Sequence, residues 1–262
     1  MVIFDIINPL YSASGFAVGV LVGLTGVGGG SLMTPLLVLV FGFHPATAVG
    51  TDLLYAAITK SAGTAVHGWR GTVDWRITGR LAVGSVPATA ITLFALHHFG
   101  VKGEAATGLI STVLGVALIL TAIAMVLRQR LLDFVQRHLP APNPRRTTQL
   151  TVLTGVVLGV LVSLSSIGAG SLGVTVLFLL YPRLQTARIV GSDIAHAVPL
   201  CLVAGIGYWL LGTVDWSLLL SLLVGSLPGI ALGSVLASRV PDLVLRPVLA
   251  SALLLASSRL LI

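Results

Sequence analysis

Two glycine- and serine-rich stretches interrupt long apolar runs, and their backbone groups could bind an anion. The first, GVGGGS, covers residues 26–31, and the second, SSIGAGS, covers 165–171. Such a break frees backbone N–H and C=O groups, which are costly in hydrocarbon unless protein or water satisfies them. A helix that begins at the break directs free N–H groups and the positive end of its dipole into the gap. We therefore expect the breaks to line one anion site near the middle of a membrane.

The substrate-binding candidates are the glycines and hydroxyl residues of the two breaks, together with a lysine inside an apolar segment. Small residues also allow close helix packing, and a lysine can extend to the headgroups, so these alternatives stay open. The candidates are Thr25, Gly28, Gly29, Gly30, Ser31, Lys60, Ser165, Ser166, Gly168, Gly170 and Ser171.

Three further ionisable residues are candidates for proton coupling: Asp52, Asp193 and His196. Ionisable groups within a membrane are costly and commonly functional, although a capping or near-interface carboxylate is the alternative. His196 lies three residues after Asp193, so we expect these two side chains to hydrogen-bond and carry a proton.

Composition indicates a membrane protein, since the mean hydropathy is +1.04 and 9% of residues are charged. The single Cys201 excludes an intrachain disulfide and a cysteine cage for zinc or iron–sulfur. The patterns GxxxxGK[ST], HExxH and GxSxG do not occur. We therefore expect no enzyme activity, no catalytic residues, no metal and no cofactor.

An internal repeat organises the chain. GTVDW at 71–75 recurs at 212–216, GSVP at 84–87 returns as GSLP at 225–228, and Asp52 matches Asp193, all at an offset of 141. The glycines of the breaks match at an offset of 140. Apolar segments are predicted at 9–25, 31–43, 46–68, 77–98, 105–127, 149–165, 170–181, 187–211, 216–238 and 244–262.

The segments predict an all-α polytopic protein forming a single transmembrane domain over 1–262. The first repeat is 9–127, a basic cytoplasmic loop is 128–148, and the second repeat is 149–262. Each repeat comprises a glycine-rich broken helical hairpin and three transmembrane helices. Because this number of crossings is odd, the repeats should have inverted topology.

The distribution of basic residues sets the expected orientation. With both termini outside, 12 of the 15 lysines and arginines lie in cytoplasmic loops. The net charge of +7 is then an orientation signal, and nucleic acid is not an expected partner. Lipids and a small anion are the expected partners, and a homo-oligomer stays open.

The two GTVDW copies have a structural interpretation. Asp74 and Asp215 can cap the helices that follow by accepting backbone N–H bonds. Trp75 and Trp216 suit the aromatic belt at the headgroups. We therefore expect these four residues to be structural.

The motifs GVGGGSLMTPLL, AVGTDLLYAAITKSAGT with His67 downstream, GTVDW and GSVP together resemble the sulfite exporter TauE/SafE family. The resemblance covers nearly the whole chain. It implies a permease that moves a small sulfur-containing anion, such as sulfite or an organosulfonate, across the bacterial inner (plasma) membrane. The favoured hypothesis is a proton-linked secondary transporter. The alternatives are a passive anion channel and a non-transporting intramembrane enzyme or assembly subunit.

Overall fold

The computed structural model describes residues 7–25, 30–138, 143–168, 170–236 and 242–261, in which helices and short connections are found and no strand. These ranges contain ten helices. In chain order they are α1 Pro9–Thr25, α2 Gly30–Leu39, α3 Pro45–Trp69, α4 Trp75–Phe99, α5 Glu104–His138, α6 Pro144–Ser165, α7 Leu172–Leu180, α8 Thr186–Leu210, α9 Trp216–Leu236 and α10 Asp242–Leu261.

Helix lengths confirm the expected order of short and long elements. The helices after the two breaks, α2 and α7, have 10 and 9 residues, too few to cross a bilayer alone. Within the described residues, five helical stretches are long and apolar enough to span a membrane, so the chain is an all-α polytopic membrane protein. They are Trp75–Phe99, Glu104–Leu127, Pro144–Ser165, Thr186–Leu210 and Trp216–Gly233.

The boundaries around 128–148 differ from the predicted loop. Helix α5 continues to His138, and α6 already begins at Pro144. Hydropathy marks where an apolar run ends, but the charged sequence RQRLLDFVQRH at 128–138 contains no glycine or proline to stop a helix. The cytoplasmic location of this region stays a prediction.

Asp74 and Asp215 cap helices as expected. The Asp74 carboxylate accepts hydrogen bonds from the backbone N–H groups of Arg76 and Ile77 at 3.1 and 3.3 Å. The Asp215 carboxylate accepts one from Leu218 at 2.9 Å. These bonds satisfy N–H groups that the first turn of each helix leaves without partners.

The same two aspartates tie each half of the chain to the other through their own N–H groups. Asp74 donates to the Ser192 hydroxyl at 2.8 Å, and Asp215 donates to the Thr51 hydroxyl at 3.1 Å. Thr51 and Ser192 are matching positions of the repeat. The two halves therefore exchange equivalent hydrogen bonds.

Helix packing shows the same exchange. Gly15 and Gly19 of α1 lie against the backbone of α9 at Leu222 and Ser226. The matching Gly155 and Gly159 of α6 lie against α4 at Leu81 and Ser85. A Cβ at Gly19 or Gly159 would approach a backbone oxygen to 2.6 Å, so these glycines permit direct backbone contact between parallel helices.

Helices α3 and α8, which are equivalent in the repeat, run antiparallel against each other. As the residue number rises along α3, the contacted residue number falls along α8. The contacts join Gly50 to Tyr208, Leu54 to Gly205, Gly63 to Ile194 and His67 to Gly191. This direction is the one that inverted repeats require, and the inverted topology as a whole stays a prediction.

A pair of glycines on α4 tests the close packing. Gly84 has no room for a Cβ, which would collide with the Val152 backbone oxygen of α6, whereas Gly79 has nothing within 4 Å. We expect Gly84→Ala to destabilise the protein by about 1–3 kcal/mol because α4 and α6 must separate. Gly79→Ala, the matched control, should be neutral or stabilising by about 0.5–1 kcal/mol. Thermal unfolding in detergent measures both, and equal effects would contradict the proposed contact.

Thiol labelling tests the orientation. In a Cys201→Ser background, we expect Asn143→Cys to resist an impermeant thiol reagent in intact spheroplasts, while Lys102→Cys reacts. Both positions are exposed, so access depends on the side of the membrane. Inverted membrane vesicles should reverse the pattern. Labelling of Asn143→Cys in intact spheroplasts would overturn the predicted orientation.

Candidate functional site

The first break is only partly placed. Gly28 and Gly29 lie outside the described residues. Thr25 ends α1, and Gly30 and Ser31 begin α2, but their side chains also lie outside the description. The short helix therefore begins directly after the break, and the binding roles of these five residues stay predictions.

The backbone of the second break is described except at Ala169. Ser166 adopts the left-handed conformation with φ of 58° and ends α6, where its N–H donates to the Val162 carbonyl at 2.7 Å. Gly168 and Gly170 have φ of 121° and 125°, a backbone conformation that residues with a Cβ atom rarely adopt. These two glycines are therefore required by the turn into α7.

The hydroxyl groups of the second break do not all serve the same purpose. Ser165 accepts from the Ile167 N–H at 3.1 Å and donates to the Leu161 carbonyl at 2.7 Å. Ser171 donates to the Thr121 hydroxyl at 3.4 Å. The Ser166 hydroxyl is buried and has no hydrogen-bond partner among the described residues. Of these three hydroxyls, that of Ser166 is therefore the one best placed to bind a solute.

Asp52 brings the two halves together. It is fully buried, and its Oδ2 accepts a hydrogen bond from the Thr34 hydroxyl of α2 at 2.6 Å. Its Oδ1 has no partner within the described ranges. The Ser166 hydroxyl faces the same carboxylate without reaching hydrogen-bond geometry. A carboxylate of the first repeat therefore lies beside the break of the second.

Asp193 lies at the other end of that break. It is also fully buried, and neither carboxylate oxygen accepts a hydrogen bond within the described part of the chain. Its Oδ1 occupies the space beside Gly173 in the first turn of α7, where a Cβ would collide with it, and the Gly170 N–H is nearby. The positive end of α7 thus faces Asp193.

The expected hydrogen bond between Asp193 and His196 is not formed. His196 Nε2 instead pairs with the Ser85 hydroxyl of α4 at 2.8 Å, and His196 Nδ1 has no partner among the residues described. The prediction of this hydrogen bond was wrong. The three-residue spacing on α8 places the two residues near each other, but it does not determine that the His196 ring extends toward α4. In one tautomer of His196 the Nε2–H donates to Ser85, and in the other Nε2 accepts from the Ser85 hydroxyl.

Ser85 and Tyr55 were not identified as site residues from the sequence. Ser85 belongs to GSVP, which served only as a marker of the repeat. Tyr55 matches His196 at the offset of 141, and its hydroxyl is likewise buried without a partner among the described residues. The repeat itself was the signal that could have found Tyr55.

The antiparallel α3–α8 contact places Asp52 and Asp193 at different depths. Gly63 faces Ile194, so Asp193 lies near the level of Thr64, which is 12 residues beyond Asp52 on α3. At 1.5 Å per residue, the two levels are roughly 18 Å apart along the pair. Lys60 lies between these levels and interacts electrostatically with Asp52, Asp193 and His196.

Buried polar groups without partners are therefore found on α3, on α8 and in the second break. Asp52, Tyr55, Ser166, Asp193 and His196 each present at least one buried atom that has no partner in the described ranges. Across those ranges, no group of three or more His, Cys, Asp or Glu is placed to hold a metal ion. The arrangement can hold protons and can bind a small polar solute.

The chain is similar to a family of membrane proteins and to several proteins named as probable membrane transporters. The family model described as "Sulfite exporter TauE/SafE" matches residues 11–260. "Probable membrane transporter protein YjnA" of Bacillus subtilis (strain 168) is 40% identical, over 94% of this chain and 97% of the relative. "Probable membrane transporter protein YdhB" of the same organism is 28% identical, over 92% and 97%. A "Probable membrane transporter protein" of Xylella fastidiosa (strain Temecula1) is 30% identical, over 86% and 83%.

No solved structure matches the chain. The family match extends from α1 to α10, and the alignments with these three relatives cover 86–94% of the chain. They confirm the resemblance that the glycine-rich stretch and the GTVDW motif indicate, and the chain belongs to the sulfite exporter TauE/SafE family.

Proposed function

We propose that this protein is a secondary transporter that moves a small sulfur-containing anion, such as sulfite or an organosulfonate, together with a proton across the bacterial inner membrane. The observation that carries the proposal is the set of unpartnered buried polar groups on α3, on α8 and in the second break. Unsatisfied polar groups are expensive inside a membrane protein, and they commonly mark a substrate or ion pathway.

Lys60 and the start of α7 supply the attraction for an anion. Lys60 is a cation on α3 at a level between Asp52 and Asp193, it interacts with both, and the positive end of α7 faces Asp193. Broken helices whose ends face the middle of the membrane are the usual binding elements of secondary transporters. The substrate therefore binds near Lys60 and Ser166.

Two carboxylates beside an anion site explain why a proton should travel with the substrate. An anion and a carboxylate about 8 Å apart would repel each other by about 2 kcal/mol at an effective dielectric constant of about 20. Protonation of Asp52 or Asp193 removes this repulsion and makes anion binding more favourable. Anion binding and proton binding therefore promote each other, as linkage requires.

The depths of the two carboxylates suit alternating access. Asp52 and Asp193 lie toward opposite ends of the antiparallel α3–α8 pair, with Lys60 between them. Each carboxylate can then exchange its proton with the solution on its own side. A proton is needed for import in particular, because an inside-negative potential opposes anion entry by about 2.3 kcal/mol per charge per 100 mV.

Binding and flux measurements test the function. In the binding measurement, we expect sulfite or an organosulfonate to raise the unfolding temperature of the purified protein at concentrations where sulfate and chloride do not, because a ligand that binds the folded state stabilises it. With an imposed proton gradient, the same anion should accumulate above its external concentration. Empty liposomes are the control.

Each alternative function gives a different result in these assays. A passive channel would carry the anion only to equal concentrations on both sides, because it has no source of energy for accumulation. An intramembrane enzyme would convert a lipid or peptide without anion flux. Either result would contradict the transporter proposal.

Replacement of the buried carboxylates tests the proton coupling. We expect Asp52→Asn and Asp193→Asn each to reduce proton-driven accumulation by about 5- to 150-fold, the factor to which the usual coupling free energies between two sites correspond. Both variants should also flatten the pH dependence of flux, since asparagine does not titrate. Asp215→Asn is the matched control, because asparagine caps a helix as well as aspartate does. If both buried variants keep the wild-type pH profile, the proton-linked mechanism is wrong.

A further inference from the structure

A pocket of about 270 Å³ lies at the ends of several helices, and Asp52, Asp193 and His196 do not line it. Arg80 on α4 lines one side, and Pro144 and Thr147 in the first turns of α6 line another. The end of α7 and the connection to α8 complete the wall with Leu180, Tyr181, Pro182, Arg183 and Leu184. These ends connect to loops and not to the glycine-rich breaks, so they mark the level at which the chain passes from hydrocarbon to water.

Hydrogen bonds fix one of the two arginines in the wall. Arg80 donates to the Tyr181 hydroxyl at 3.3 Å, and that hydroxyl pairs with the Thr151 hydroxyl at 2.8 Å. Thr151 donates in turn to the Thr147 backbone carbonyl at 2.7 Å. A guanidinium has five N–H donors in a fixed plane, so the contact with Tyr181 orients the group and leaves donors for a ligand.

The described segments that form the pocket carry charge of one sign. The segments that form it, 76–80, 143–150 and 180–190, contain six arginines and no aspartate or glutamate. The nearest acidic residue before Arg80 on its helix is Asp74, whose carboxylate caps α4. The pocket is therefore a site of positive potential, and the described residues of its wall include no acidic side chain.

We propose that this pocket binds the headgroup of an anionic phospholipid, with the phosphate between Arg80 and Arg183. Arginine pairs with phosphate oxygens through two parallel hydrogen bonds, and basic pockets between transmembrane helices on the cytoplasmic side are typical sites for such headgroups. Pro144, Leu180, Pro182 and Leu184 give the rest of the wall an apolar surface that suits the glycerol and the first acyl carbons. A free inorganic anion would leave this surface uncovered.

The site is independent of the transport proposal. Its residues do not include Lys60, Ser166 or the buried aspartates, and the face it occupies is the one we predict to be cytoplasmic. A lipid at this position contacts α4, α6 and the α7–α8 connection together. Its binding therefore stabilises the folded protein whatever the substrate is.

Short-chain lipids and purified protein test the proposal. We expect dioctanoyl phosphatidylglycerol to raise the unfolding temperature in neutral detergent, while dioctanoyl phosphatidylcholine and inorganic phosphate at the same concentration do not. Arg80→Gln/Arg183→Gln should weaken the apparent affinity for the anionic lipid by about 10- to 100-fold, as expected for losing one or two charge-assisted hydrogen bonds. Arg145→Gln/Arg146→Gln removes the same charge from the same face outside the pocket wall. This control should stay within about fivefold of the wild type.

Each other outcome overturns the proposal. Equal losses in the two double variants would mean diffuse attraction rather than a site, and equal stabilisation by inorganic phosphate would make a free oxyanion the ligand. No shift with any probe would mean that the pocket binds none of them. If Arg80→Gln prevents folding, the exposed Arg183→Gln alone is compared with Arg145→Gln, and native mass spectrometry counts the retained phosphatidylglycerol.

Discussion

Direct backbone contact at glycines is the constraint on which the rest of the structure depends. Helix α1 lies against α9 and helix α6 against α4, and in both pairs a glycine replaces the side chain that would hold the helices apart. Each contact joins one repeat to the other. The two pairs therefore fix the relative position of the halves, and with it the crossing of α3 and α8 between them. The buried carboxylates are positioned by this crossing.

The repeat, the short helices after the breaks and the aspartate caps could all be predicted, because each depends on local sequence. The end of α5 could not, since loss of hydropathy does not stop a helix that lacks glycine or proline. The pairing of His196 with Ser85 also could not be predicted. A partner on another helix depends on how α4 and α8 are packed, and spacing along α8 contains no information about that.

In the candidate site, too, local sequence predicts some features, while others depend on how the helices pack. The sequence indicated Asp52, Asp193 and the second break as candidates, but it did not distinguish Ser166 from Ser165 and Ser171. All three are serines in the same short motif, and only their hydrogen bonds separate structural hydroxyls from the one without a partner. The depths of the two aspartates likewise depend on the antiparallel contact of α3 with α8, which a linear repeat does not specify.

The contact between α1 and α9 has a consequence for biosynthesis. About 190 residues separate the end of α1 from the start of α9, which corresponds to roughly 10–40 s at ordinary rates of translation. During this interval the glycine face of α1 has no α9 to contact. A helix in lipid satisfies its own backbone hydrogen bonds, and lipid is as apolar as a neighbouring helix, so the delay carries little penalty. In water the same order of synthesis would leave an apolar surface exposed to aggregation, so this arrangement of helices suits a chain that is inserted into the membrane while it is made.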